Sequence, residues 1–154
     1  MAGILGTNTL AQVGFIVRDL ETTKKKFSEF FGVPVPPSFD GGKFEVTGTT
    51  VDGQPAPKAN CLMAFFDVGP NTQIELIQPN GEKSTWQDFL DERGEGIHHI
   101  AFKVEGTDEK ILAMETAFGA KCVQRGKYGG GNGEYAYLDV HEDLKCLMET
   151  LESY

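Results

Sequence analysis

Gln12-Val13-Gly14-Phe15-Ile16-Val17 returns as His99-Ile100-Ala101-Phe102-Lys103-Val104, a shift of 87 positions from 12 to 99. Phe31-Gly32-Val33 returns at the same shift as Phe118-Gly119-Ala120. A register held from a strand to the end of the following helix marks two copies of one module. It also makes Gln12 and His99 equivalent positions, and both side chains can bind a metal.

Around this echo the first copy reads outward. Residues 10–17 alternate, with Val13, Phe15 and Val17 on one face and Leu10, Gln12, Gly14 and Ile16 on the other, which is strand behaviour. The stretch DLETTKKKFSEFFG reads as a helix with Asp19 as N-cap and Gly32 as C′ residue. Leu20, Phe27, Phe30 and Phe31 form its expected apolar stripe, and Lys24-Lys25-Lys26 its wet face. Strands are expected at 43–50 and 60–68, separated by the loop VDGQPAPKA. Gly69-Pro70-Asn71 then turns into the strand QIELIQP.

Ser84 and Gln87 match a capping box for an extra helix over about 84–93, anchored by Trp86 and Phe89 and stopped by Gly94. The second copy starts with the strand HHIAFKV. Its helix is capped by Thr107 or Asp108, carries Ile111, Met114 and Phe118 on one face, and ends at Gly119. Strands follow near 121–127, 135–139 and 146–151. Each half therefore reads β-α-β-β-β, an α+β chain. Module one spans about 8–80 and module two about 97–152, and no linker or low-complexity tract separates them across 1–154.

Composition narrows the function. With 14 basic and 23 acidic residues the net charge is −9, which argues against a nucleic-acid partner. No apolar run approaches a membrane span, and MAGILGTNTL lacks the basic region and apolar stretch of a signal peptide. Cys61, Cys122 and Cys146 are widely spaced and form neither a zinc pattern nor a disulfide framework. They read as reduced thiols, and the expected location is cytoplasmic.

Period-2 reasoning gathers the metal-binding candidates. His99, Ala101 and Lys103 share one strand face, and the all-apolar face of Ile100, Phe102 and Val104 goes to the helix. Glu75 in QIELIQP and Glu149 in CLMETL sit mid-strand between apolar residues. There a buried carboxylate is costly unless paired, hydrogen-bonded or bound to a cation. The bland alternative is an edge or solvent-facing acid. If each module offers one ligand from its first strand and one from its last, the set is Gln12, Glu75, His99 and Glu149. One nitrogen and three oxygens suit an open, water-bearing Zn, Ni, Co or Mn site. His98 is expected to face away from His99. The run Tyr128-Gly129-Gly130-Gly131-Asn132-Gly133 reads as a mobile hairpin loop or as a lid, with Arg125 and Lys127 available to an anionic group. It lacks the Gly-Lys-Ser/Thr ending of a P-loop.

From LAQVGFIVRDLE to CLMETLE the chain resembles the vicinal-oxygen-chelate, or glyoxalase-like, superfamily. The resemblance implies two βαβββ modules forming a cupped mixed sheet, helices on the convex face and a metal inside. The stretch TQIELIQPNGEKSTWQDFLDERGEGIHHIAFKV is most similar to the methylmalonyl-CoA epimerases. In those the first strand reads DHIGIAV, with a His where this chain has Gln12. The remaining ligands fall on Glu75, His99 and Glu149. A Gln, Glu, His, Glu set is similar to that of glyoxalase I, and differs from the two-His, one-carboxylate iron site of extradiol dioxygenases. The epimerases use two carboxylates flanking the reacting carbon. Cys61, Leu62 and Met63 stand where the second is expected, with Glu45 nearby.

The resemblance implies a metal-dependent isomerase, lyase or epimerase moving a proton on the carbon next to a carbonyl or enediolate. Glu149 is then the base, Glu75 and His99 hold the metal, and Gln12 is a neutral fourth ligand. The expected partner is a small-molecule carbonyl substrate, with a homodimer implied by the family. The alternative is a non-catalytic binding module using the same cup.

Overall fold

A computed structural model describes residues 3–154. The elements are β1 (Leu10–Ile16), α1 (Leu20–Phe31), β2 (Phe39–Asp40), α2 (Phe44–Thr47), β3 (Thr50–Val51), β4 (Gln54–Pro55), β5 (Cys61–Asp67) and β6 (Gln73–Pro79). They continue with α3 (Thr85–Arg93), β7 (Gly96–Lys103), α4 (Thr107–Phe118), β8 (Lys121–Tyr128), β9 (Gly133–Asp139), α5 (His141–Leu144) and β10 (Leu147–Ser153). A 3-10 turn at Gly129–Gly131 joins β8 to β9. The strands form one mixed sheet in the order β2-β5-β6-β1-β7-β10-β9-β8-β3-β4, curled around a cavity.

The repeat is visible in this order. β1 lies parallel to β6, β7 lies parallel to β10, and the halves join where β1 meets β7 antiparallel. The strand alternation sorts the faces as expected. On the convex side Leu20 of α1 packs with Val17, Ala64, Phe66 and Leu76. Met114 of α4 packs with Ala120, Leu138 and Val140. The concave side carries Ile16, Ile77, Tyr135, Tyr137 and Leu147, and α3 adds Trp86 and Leu90 to that cluster. The two long helices thus cover the convex face, and the extra helix packs into the cup. Among the described residues no helix is long and apolar enough to cross a membrane.

Several local expectations hold. Asp19 accepts a hydrogen bond from Thr22 N at 3.0 Å, and Gly32 closes α1 in the left-handed region at φ 69°. Ser84 caps α3 through Gln87 N at 3.0 Å, although the Gln87 side chain bonds Gly81 N instead of closing the box.

Other expectations are corrected. Residues 43–50 do not form a strand: Phe44–Thr47 is a helical turn ended by Gly48 at φ 54°. The outer neighbour of β5 is only Phe39–Asp40, after which the chain crosses to the opposite half and pairs Thr50 with Arg125 of β8. The connection between two sheet edges overrides the local alternation. In α1, Phe30 is 81 % exposed while Lys24 is buried. Helical spacing places residue 24 between Leu20 and Ser28 on the inward face. Its ammonium escapes to Ser38 Oγ at 2.7 Å and Glu21 at 2.9 Å. The α4 cap is neither Thr107 nor Asp108: Gly106 holds the N-cap position, and the Glu152 carboxylate of β10 accepts from Gly106 N and Thr107 N, both at 2.8 Å.

Candidate metal centre

Four positions around the β1–β7 seam build the site. Gly14 pairs with His99 and Gln12 with Ala101 across the seam. On the flanking parallel strands Glu75 lies beside Gly14, and Glu149 beside Ala101. The small residues leave a hollow into which the larger side chains turn. A Cβ on Gly14 would stand 2.0 Å from His99 Cε1, so the imidazole lies across β1 only because position 14 has no side chain.

The structure brings Glu75, His99 and Glu149 together. His99 Nε2 is 3.3 Å from Glu75 Oε2 and 3.1 Å from Glu149 Oε2, and all three side chains are buried. One donor atom from each lies within 4.8 Å of the others. Burial pushes the His99 imidazole toward neutrality, but the Glu149 and Glu75 carboxylates overcome it and raise its pKa to about 10. Burial also raises the Glu149 carboxyl, against the opposing pull of His99.

These residues fit a divalent cation. His99 Nε2 and Glu149 Oε2 are buried and close, yet neither has an aligned hydrogen-bond partner. Their charges attract, but the hydrogen-bonding capacity left unused at this buried place is what coordination to a cation would satisfy. A nitrogen-and-carboxylate donor set suits a borderline or hard cation and not a soft thiolate site. The three cysteines are free and stand outside the cluster.

Gln12 lines the same cavity as Glu75 and Glu149, and its Nε2 donates to Gln73 Oε1 at 3.3 Å. His98 does not face away from His99. The register of β1 on β7 slips at His98, and this bulge turns both imidazoles together, with Nδ1 atoms 3.0 Å apart. Burial and the His99 charge keep His98 well below its ordinary pKa, hence neutral. A neutral His98 can accept from His99 Nδ1–H, which directs His99 Nε2 at the carboxylates.

Tyr137 escaped the sequence reading. Its ring centroid lies 4.9 Å from that of His99 and 5.0 Å from that of His98, and its hydroxyl accepts from Trp86 Nε1 at 3.0 Å. Burial and the Glu149 and Glu75 charges hold that phenol well above its usual pKa, so it stays protonated. The available signal was the YAY alternation, which puts Tyr135 and Tyr137 on the face opposite Leu138.

The cavity measures about 690 Å³ and is lined by Gln12, Glu75, Glu149 and Tyr137, with Lys43 and Lys127 among its cations. Gly129 and Gly130 line it too, so the glycine loop borders the cup. Arg125 does not serve it: its guanidinium is held by Glu134 and Asp108, each at 2.7 Å. Glu45 is exposed on α2 and does not line the cavity. Asp40, which the sequence reading passed over, does; it accepts from Gly42 N at 2.8 Å and Asn60 Nδ2 at 3.2 Å.

Comparison with known proteins agrees with this architecture. The family model for the Glyoxalase/Bleomycin resistance protein/Dioxygenase superfamily matches residues 11–137. An ethylmalonyl-CoA/methylmalonyl-CoA epimerase of Cereibacter sphaeroides is 30 % identical over 146 residues, covering 91 % of this chain and 94 % of the relative. The uncharacterized protein YqjC of Bacillus subtilis is 32 % identical over 91 residues, 58 % of this chain and 64 % of that protein. Among solved structures, methylmalonyl-CoA epimerase from Mycobacterium tuberculosis superposes with a TM-score of 0.64 at 21 % identity, covering 94 % of this chain and 87 % of the other. With the duplicated module, the seam and the curled sheet in view, the chain belongs to the glyoxalase/bleomycin resistance protein/dioxygenase superfamily.

Proposed function

We propose that this protein is a metal-dependent epimerase that moves a proton on the carbon next to the carbonyl of an acyl-CoA thioester. The observation that carries it is the buried Glu75–His99–Glu149 cluster at a cavity of about 690 Å³. The substrate class draws support from the 30 % identical relative named as an acyl-CoA epimerase.

In this reading Gln12, Glu75, His99 and Glu149 hold the cation. A bound divalent metal supplies Lewis-acid stabilisation of negative charge developing on the substrate oxygen. Glu149 moves from the cation to take the proton from one face of the carbon, and solvent reaching the cavity returns a proton to the opposite face. Tyr137 keeps its proton and braces both histidine rings. Glu149→Gln therefore lowers turnover by about 10²–10⁴-fold even at a cation concentration that saturates the variant.

One observation favours a second reading, a glyoxalase I-type isomerase. β5 presents Cys61 rather than a carboxylate to the cavity, and burial with the nearby Glu75 and Asp40 charges keeps that thiol protonated. A single base serving two adjacent carbons needs no second carboxylate. Incubation of metal-loaded protein in deuterated buffer with acyl-CoA thioesters and with hemithioacetals separates the readings. Deuterium entering the α-carbon of a thioester supports the epimerase, turnover of the hemithioacetal supports the isomerase, and exchange into neither leaves only a binding module. The homodimer belongs to the same proposal and rests on exposed apolar residues Phe30, Val33, Val35 and Phe39. Light scattering giving a monomer mass removes it.

A further inference from the structure

We infer that Asp67 and Gln73 are positioning residues that fix which end of the Gln12 amide faces the metal centre; this rests on the metal reading proposed above. Gln12, Gln73 and Asp67 stand side by side on three adjacent strands: Gln12 pairs with Gln73 across β1–β6, and Gln73 with Asp67 across β6–β5. Their side chains form a directed chain. Gln12 Nε2 donates to Gln73 Oε1 at 3.3 Å, and Gln73 Nε2 donates to Asp67 Oδ1 at 2.9 Å.

The direction follows from the terminal residue. An amide can be turned end for end, but an ionised carboxylate only accepts. Asp67 therefore demands the Gln73 amino group, which aims the Gln73 carbonyl at Gln12. That carbonyl in turn demands the Gln12 amino group. The Gln12 Oε1 atom, engaged by no hydrogen bond among the described residues, is left as the atom available to a cation. A cation needs that oxygen and is repelled by the –NH2 end, so the chain selects the ligating orientation before metal arrives.

The equivalent row in the second half contains no such device. There His99 pairs with Leu147 and Leu147 with Asp139, so an apolar residue interrupts the relay. His99 is oriented by His98 instead. Each half thus orients its first-strand ligand by different chemistry, and Gln73 and Asp67 have their role because position 12 is an amide.

The test is a double-mutant cycle read by calorimetric titration of metal-stripped protein with Co²⁺. Asp67→Asn keeps the shape of the side chain but lets it donate or accept, so the amide order is no longer imposed. In the native background this substitution weakens Co²⁺ binding by about 10-fold, the lower end for a residue that orients a ligand. In the Gln12→Glu background it has no effect, because a carboxylate presents oxygen whichever way it turns. Equal weakening in both backgrounds means Asp67 acts only through its charge or through folding, and overturns the inference. No weakening in either also overturns it. Absence of saturable Co²⁺ binding by the unmutated protein removes the metal reading itself, and is distinct from these results. Gln73→Leu, which breaks the chain without changing charge, repeats the pattern if the inference holds.

Discussion

Gly14 decides whether the site can exist. His99 is fully buried, so its ring has little freedom to retreat from a methyl group placed 2.0 Å away. Gly14→Ala should cost stability in the range of about 1–3 kcal/mol typical of overpacking, and should displace His99 from the carboxylates. Chemical denaturation and metal titration of the same variant check both effects; unchanged metal affinity would show that His99 is not held across β1. The His99 charge gives a second prediction. Its folded pKa of about 10 lies above its ordinary 6.5, so its contribution to the stability of metal-free protein is full below pH 6.5. That contribution declines as pH rises and is gone above about 10. Urea midpoints of chelator-treated protein should fall over this window, and His99→Gln should flatten the slope. At this scale Glu75, His99 and Glu149 were legible because period-2 alternation fixes faces and buried acids need partners. His98 was not, since a bulge breaks the alternation it was read from.

Between elements, the sequence read best where a segment's own pattern decides its structure. QIELIQP is the observed β6 to the residue, and Asp19 and Gly32 cap α1 as expected. It read worst where a distant partner decides. The segment 43–50 alternates like a strand but serves as the crossing between two sheet edges. The N-terminus of α4 likewise takes its cap from Glu152, 45 residues beyond Thr107, which no local signal announces. Hydrogen bonds from Thr107 and Gly106 hold the Glu152 carboxyl below its ordinary pKa. Its stabilisation is therefore present above the unfolded value of 4.5 and lost as pH falls through the folded one. Glu152→Gln should lower Tm at pH 7, with the gap to the native protein closing in acid. A gap that is constant with pH would mean that the charge plays no part in the cap.

Across the whole molecule, the duplicated module explains why the buried Glu75, His99 and Glu149 cluster lies at the seam: each half brings its first strand to the seam and sets its last-strand carboxylate beside it. The face of the site, on the side of the sheet away from the two long helices, followed from the repeat and the strand alternation. The packing of α3 into the cup did not, because its Trp86 contact with Tyr137 spans 51 residues. Trp86 is the only tryptophan and touches the residue that braces both histidines. Its fluorescence and the far-ultraviolet circular dichroism should therefore report one coincident unfolding transition. Cation at about 100 times its Kd should stabilise that transition by about 2.7 kcal/mol. Separate transitions for the two probes would contradict a single cooperative unit. A cation at Glu75, His99 and Glu149 is tested most directly by calorimetric titration of metal-stripped protein with Zn²⁺, Ni²⁺ or Co²⁺ near pH 7.5, repeated in buffers of different ionisation enthalpy. One cation per chain, with about one proton expelled from His99 and binding weakened by Glu75→Gln and Glu149→Gln, is the predicted result. Absence of saturable binding, or binding that survives loss of both carboxylates, would contradict it.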